Sequence, residues 1–234
     1  MGDFGASLLH AFELMARLDP DLLEIIFLSF QVSFAGLVFA CLVALPVGAA
    51  VAVLRFPGRT VAIALLNAGL GLPAVVVGLV AYLLLSRSGP LAALGLLFTP
   101  TAMAIAQFIL IAPLIAALTF QTVADLHQEY DEQLQSFDCG RLRTMATLLW
   151  DGRFSLVTAV LAGFGRAISE VGAVIIVGGN INHYTRVMTT SIQLETMKGD
   201  LPLAMALGII LLSLTFLITL LAQLIRNVAG QRYA

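Results

Sequence analysis

Charge is scarce in this sequence. Only 11% of its 234 residues are Asp, Glu, Lys or Arg, and 60% are hydrophobic, whereas soluble domains carry about 25% charge and about 45–50% apolar residues. A mean hydropathy of +1.00 points the same way. The shortage excludes an ordinary soluble protein and leaves a polytopic integral membrane protein in the lipid bilayer, with one membrane domain and no room for a soluble catalytic one. The formal net charge of −2 gives no reason to expect nucleic acid as a partner. Cysteine is nearly absent: Cys41 sits in an apolar run and Cys139 in a polar segment, which suggests neither a disulfide framework nor a metal site. The three histidines, His10, His127 and His183, are scattered. No GxxxxGK[ST] loop, HExxH, paired-cysteine ligand set or Ser elbow occurs, so neither enzymatic activity nor a cofactor is expected of this chain itself. Residues 1–21 lack a basic start followed by a short apolar region, so no cleavable signal peptide is expected.

What is present is hydrophobic runs. Leu8, Leu9, Phe12, Met15 and Leu18 recur at roughly helical spacing in a segment too short to span, which predicts an interfacial helix within residues 1–21. Five long apolar runs follow, over residues 22–54, 60–86, 91–120, 154–181 and 201–225. Each exceeds the roughly 20 residues needed to cross a hydrocarbon core of about 30 Å. Helices are expected, because a lipid-exposed backbone must satisfy its own hydrogen bonds, and no short alternating barrel strands are seen. The fold class is therefore all-α integral membrane: five transmembrane helices and an N-terminal interfacial helix. Residues 22–226 form the membrane domain and 227–234 a C-terminal tail. Pro46, Gly48, Gly69, Gly71, Pro73 and Gly78 mark irregular or closely packed stretches, and Pro113 is expected to break the third span.

Loop charges give the orientation. Seven cations (Arg55, Arg59, Arg141, Arg143, Arg153, Arg226, Arg232) fall on one side and four (Arg17, Arg87, Arg186, Lys198) on the other. The seven-cation side is expected to be cytoplasmic, which puts residues 125–153 in the cytoplasm. That segment holds its acids early (Asp125, Glu129, Asp131, Glu132, Asp138) and its bases late (Arg141, Arg143, Arg153), an order that suits the dipole of a helix. Its interleaved Leu126, Leu134, Phe137, Leu142 and Met145 suit docking into a partner's groove. Arg166 and Glu170 form an ionisable pair inside a span, four residues apart and so on one helix face, with Ser169 beside them. They either line an anion path or gate, or form a neutralising pair that fixes packing.

The polar segment resembles the cytoplasmic loop of ABC-transporter permeases of the importer type. That loop begins Glu-Ala-Ala, has a Gly six residues after the Glu, and ends Leu-Pro. Here Glu132 takes the first position, with Gln133 and Leu134 for the alanines, Asp138 where the glycine belongs, Gly140 two residues on, and Leu149-Trp150 near the Leu-Pro. GFGRAISEVGAVIIVGGNI (163–181) and LGLPAVVVGLVAYLLLSRSGPLAALG (70–95) resemble spans of the molybdate and tungstate importer permeases. ETMKGDLPLAMALGIILL (195–212) resembles the approach to their last span, and GGNINHYTRVMTTSIQLETMKGD (178–200) the tungstate branch. The likeness covers roughly residues 22–226.

The resemblance implies a type I ABC importer permease fold in a bacterial or archaeal inner membrane. It implies a second copy of the chain, two ATPase subunits carrying ATP and Mg, and an extracytoplasmic substrate-binding protein. The cargo is expected to be tungstate, with molybdate or sulfate as near variants; an ion-coupled secondary carrier is the reading from another class. ATPase coupling then falls to Asp131, Glu132, Gln135, Phe137, Asp138 and Arg141. Arg166, Ser169, Glu170, Asn180, Thr185, Thr189 and Thr190 are pathway or gate candidates, the last four equally readable as a surface cap, and Arg186 is a candidate contact for the delivery protein.

Overall fold

A computed structural model of the chain describes residues 19–233, with Glu13 before them, and side chains as far as residue 225. The interfacial helix expected over residues 1–21 falls almost wholly outside the described residues. Among those described, the secondary structure is helical: α1 (Pro20–Val53), α2 (Arg59–Gly69), α3 (Ala74–Leu85), a short 3-10 turn at Ala92–Leu94, α4 (Pro100–Ser136), α5 (Arg141–Asp151), α6 (Arg153–Ile168), α7 (Gly172–Gly178), α8 (Met188–Lys198) and α9 (Leu201–Tyr233). Three helices are long and apolar enough to cross a membrane, or five spans exist if each bent pair counts as one.

The runs at 22–54 and 201–225 are continuous helix as expected; three others differ. The run at 60–86 splits at Leu70–Pro73 into α2 and α3, because proline disfavours helical backbone in the residue before it and removes a donor. The run at 91–120 becomes helical only at Pro100, but α4 then passes through Pro113 without breaking, as transmembrane helices do where neighbours re-satisfy the freed groups. The run at 154–181 is α6, a non-helical step at Ser169–Val171, and α7. The 16 residues of α6 reach about 24 Å at 1.5 Å per residue, short of the hydrocarbon thickness.

The chain divides into two compact units. One comprises residues up to Gly36, Pro73–Gln107 and Arg166–Leu217. Its core is made of small and branched side chains: Val32, Ala81, Ala102, Met103, Ala106, Ala173, Val174 and Val177. Glycine permits the closest approach there, since a Cβ on Gly78 would stand 2.7 Å from Ala173 Cα. Polar cross-links brace it. Ser29 Oγ accepts from Met188 N at 2.8 Å, and Gln107 Nε2 donates to Ser33 Oγ at 3.3 Å and to Ala167 O at 3.0 Å.

The other unit comprises Leu37–Leu72, Phe108–Gly165 and residues from Ile218. Ala49, Ala52, Val123 and Leu148 form a core covered by Phe120, Leu126, Tyr130, Leu134 and Met145. Arg59 ends α1: its Nε and Nη2 donate to Val51 O (2.8 Å) and Ala52 O (3.1 Å), and its guanidinium lies 5.9 Å from the Phe120 ring centre. A cation on the last free carbonyls satisfies them and suits the helix dipole. Phe27, Phe34, Phe39 and Leu42 of α1, and Leu212 and Phe216 of α9, lie largely exposed, as lipid-facing side chains do.

Candidate functional site

Two places gather the chemistry. The first is an elbow: the end of α4, a turn at Phe137–Gly140, and α5, which meets α6 at Gly152 with a bend of 74°. The turn closes with Asp138 N donating to Gln135 O and Cys139 N to Leu134 O. Asp138 sits at φ +48, the left-handed region that glycine favours and Asp tolerates better than most. The aspartate where the importer loop has glycine thus adopts the conformation a glycine would supply.

Two helices, rather than one, change the electrostatic reading. Asp131 and Glu132 fall in the last turns of α4, and Arg141 and Arg143 open α5. Both sets oppose the macrodipole of their own helix, so the expected dipole match is overturned. Asp131, Asp138 and Arg141 instead line one pocket of about 320 Å³ with His127, Leu134, Gln135, Cys139 and Thr144, and Gln135 Nε2 donates to Asp131 Oδ2 at 2.9 Å. The interleaved apolar residues divide as well. Leu126, Leu134 and Met145 pack on the core, whereas Phe137 and Leu142 protrude, 79% and 81% exposed. Glu132 is exposed. Trp150, also exposed, holds Arg153: its carbonyl accepts from Arg153 Nη1 at 2.7 Å, and the guanidinium stands 4.9 Å from its ring and 4.7 Å from Phe154.

The second place is the break between α6 and α7. Glu170 is buried, and its Oε1 accepts from Gly172 N (2.8 Å) and Ala173 N (3.3 Å). The carboxylate therefore satisfies two of the free N–H groups that open α7. Its own carbonyl accepts from Thr189 Oγ1 at 2.8 Å. Arg166 is held more loosely: Nε lies 3.8 Å from Glu170 Oε2, and the side chain is 45% exposed. Ser169 is exposed, with its hydroxyl donating to Arg166 O at 3.2 Å. Arg166 and Ser169 are thus presented outward, while Glu170 is committed to the backbone.

Of the remaining pathway candidates only Thr189 touches Glu170, and Asn180, Thr185 and Thr190 brace the loop that follows α7. Thr185 Oγ1 donates to Gly178 O (2.6 Å) and accepts from Ile181 N (2.9 Å). Thr190 Oγ1 donates to Asn180 Oδ1 (2.9 Å), and Asn180 Nδ2 lies 3.4 Å from Thr190 O. Thr185, Thr189 and Thr190 are buried. Sequence reasoning missed Gln107, 3% exposed, which ties the end of α6 through Ala167 O. The available signal was an amide side chain in an uncharged span, where polar groups are costly and seldom idle.

Comparison with known proteins puts a family to these features. The chain is 40% identical over 208 residues to the tungstate uptake system permease protein TupB of Peptoclostridium acidaminophilum, covering 89% of this chain and 91% of that one. The chain belongs to the permease family of ABC transporters. The permease is also 40% identical, over 88% of itself and 91% of the relative, to a probable anion ABC transporter permease protein of Haloferax volcanii. It is 29% identical, over 76% and 67%, to the sulfate transport system permease protein CysT of Salmonella typhimurium. No protein-family model matches it. The permease is accordingly a multi-pass protein of the cytoplasmic membrane with the type I importer fold.

Proposed function

We propose that this permease is the membrane-spanning subunit of an ABC importer for tungstate. The observation that supports it is 40% identity across nine-tenths of a tungstate uptake permease. Molybdate or sulfate is the runner-up cargo, the latter favoured by the 29% identical sulfate relative.

In this reading two copies form the pore within residues 22–226. Residues 125–153 face the cytoplasm, and two ATPase subunits that hold ATP and Mg seat on the elbow. A substrate-binding protein delivers the anion from outside. Asp131, Glu132, Gln135, Phe137, Asp138 and Arg141 form or line the ATPase contact. ATP-driven closure of the ATPases moves the elbow and with it α6, which begins directly at the 74° bend. Arg166 and Ser169 offer a positive charge and a hydroxyl to the doubly negative oxyanion. Glu170, Asn180, Thr185, Thr189 and Thr190 hold the α7 start and its loop in shape. The N-terminus of α7 is taken by Glu170, so the anion's charge is met by Arg166 rather than by that helix end.

The test is co-purification with the ATPase subunit, followed by ATP-dependent uptake into proteoliposomes with its delivery protein, read by mass spectrometry with competing tungstate, molybdate and sulfate. Tungstate is expected to displace the others. A chain that binds no ATPase and transports in ATP-depleted vesicles is a secondary carrier instead.

A further inference from the structure

A third polar cluster plays no part in that scheme. Asp19 caps α1, its Oδ1 accepting from Asp21 N (2.9 Å) and Leu22 N (3.3 Å). Asp21 itself is thereby spared capping, and it lies three residues before Glu24, so both carboxylates share one helix face. His183 reaches the same place from the loop between α7 and α8, its Nδ1 2.8 Å from Glu24 Oε2. One ligand atom from each of Asp21, Glu24 and His183 lies within 4.8 Å of the others, and all three residues are exposed.

The pocket around them has a floor that wants polar company. It measures about 100 Å³ and is also lined by Arg186 and Ser191. Ser191 is fully buried, yet its Oγ has no hydrogen-bond partner, and neither does Arg186 Nε. A buried hydroxyl without a partner forfeits its solvation with nothing in return. Water held on a metal ion supplies a donor to the Ser191 oxygen, which lacks one. His183, at φ +55, is kept in place by the Thr185 and Thr190 bonds of its loop.

We propose that Asp21, Glu24 and His183 form a binding site for a divalent transition-metal ion of the Zn²⁺ or Mn²⁺ kind, which clasps the start of α1 to the α7–α8 loop. One imidazole nitrogen with two carboxylate oxygens suits such an ion, whereas Ca²⁺ and Mg²⁺ take all-oxygen sets. Bonds of about 2.0–2.2 Å place ligand atoms about 3–3.5 Å apart, so side-chain rotation closes the set without backbone movement. The hydrogen bond that His183 donates to Glu24, and then the Glu24 charge, raise the His183 pKa above its ordinary 6.5, with Asp21 adding to and Arg186 opposing the effect. The ion takes the place of that imidazole proton. Arg186 offsets one carboxylate charge and so weakens the ion's binding.

The test uses the full chain in nanodiscs after chelator dialysis, titrated with MnCl₂ or ZnCl₂ by calorimetry. One ion per chain is expected, with a rise in melting temperature. H183A and D21N are each expected to lose at least tenfold in affinity, since even supporting groups around a metal are worth about 10–100-fold. D21N leaves the Glu24–His183 bond in place, which guards against a trivial folding loss. R186Q is expected to bind several-fold tighter. X-ray absorption of the zinc form should show nitrogen and oxygen ligation without sulfur, which separates this site from Cys41 and Cys139. Wild-type affinity in D21N and H183A, sulfur ligation, weaker binding in R186Q, or no binding by a well-folded chain overturns the proposal.

Discussion

The contact between Arg166 and Glu170 spans four residues of sequence, but the two side chains have unequal work, and substitution should separate them. Glu170→Ala removes the acceptor of Gly172 N and Ala173 N at a buried position. Deleting a capping side chain costs about 0.5–2 kcal/mol and leaving a buried donor unsatisfied about 1–3 kcal/mol; these measure the same loss, which should be about 1–3 kcal/mol. In a chain of this size that lowers the melting temperature by about 2–12 °C. Glu170→Gln keeps an amide oxygen where Oε1 stands and should cost about 1 kcal/mol or less. Arg166→Gln breaks only a 3.8 Å contact on a side chain that is 45% exposed, where pairs are worth about 0–1 kcal/mol.

The assay pairs thermal unfolding in detergent with tungstate uptake. Glu170→Ala should melt early, and Arg166→Gln should melt normally yet transport at least tenfold more slowly, the shortfall appearing in uptake rather than in expression. A double variant should show a coupling energy below about 1 kcal/mol. Equal melting losses for the two single variants, with coupling above about 2 kcal/mol, would refute the division and make the pair a structural latch. Normal uptake by Arg166→Gln would remove that residue from the anion path.

Substitutions at four further positions probe the coupling surface, the turn and the packing. Glu132→Lys should lower uptake and substrate-stimulated ATPase activity while delivery-protein docking, measured by pull-down, stays intact; unchanged uptake would take Glu132 out of the coupling surface. Asp138→Gly should be neutral or stabilise by up to about 1 kcal/mol, and Asp138→Val should destabilise by more than about 1 kcal/mol, because a branched side chain resists positive φ; equal melting temperatures for the two would refute the turn assignment. Gly78→Val drives a side chain into the Ala173 backbone and should cost about 1–3 kcal/mol in thermal unfolding. Gly165→Ala, with nothing within 4 Å of the added carbon, should be harmless by the same measurement.

Hydrophobicity made the membrane runs legible, and Gly69, Gly71 and Pro73 marked one irregular stretch, but which irregularity becomes a break was not legible. Length and composition alone do not distinguish a straight helix from two shorter ones. Pro73 broke its run where Pro113 did not; Pro113 instead packs closely on α2, where a Cβ on Gly69 would collide with its ring. The Glu170 carboxylate looked like half of an ion pair because sequence spacing shows which side chains share a face. It cannot show that the helix stops at Ile168 and that the carboxylate turns to the next helix's N–H groups. Gln107 and Arg59 were hidden for the same reason, since their partners are backbone carbonyls 60 and 8 residues away.

The elbow shows how a failed local argument sharpens a functional one. Had residues 125–153 formed one helix, acids first and bases last would have stabilised it and needed no partner. As two helices, the same charges sit at the wrong ends, at a cost of about 0.3–1 kcal/mol each where exposed. Asp131, Asp138 and Arg141 line one pocket there. The protruding Phe137 and Leu142 are covered by nothing among the described residues, although Leu126, Leu134 and Met145 of the same segment are packed away. On the proposed placement of the elbow in the cytoplasm, no lipid receives them. Two exposed apolar anchors beside a charged pocket are what a helix-docking partner covers, and this supports seating the ATPase on the Phe137–Leu142 corner, with Glu132 at its edge.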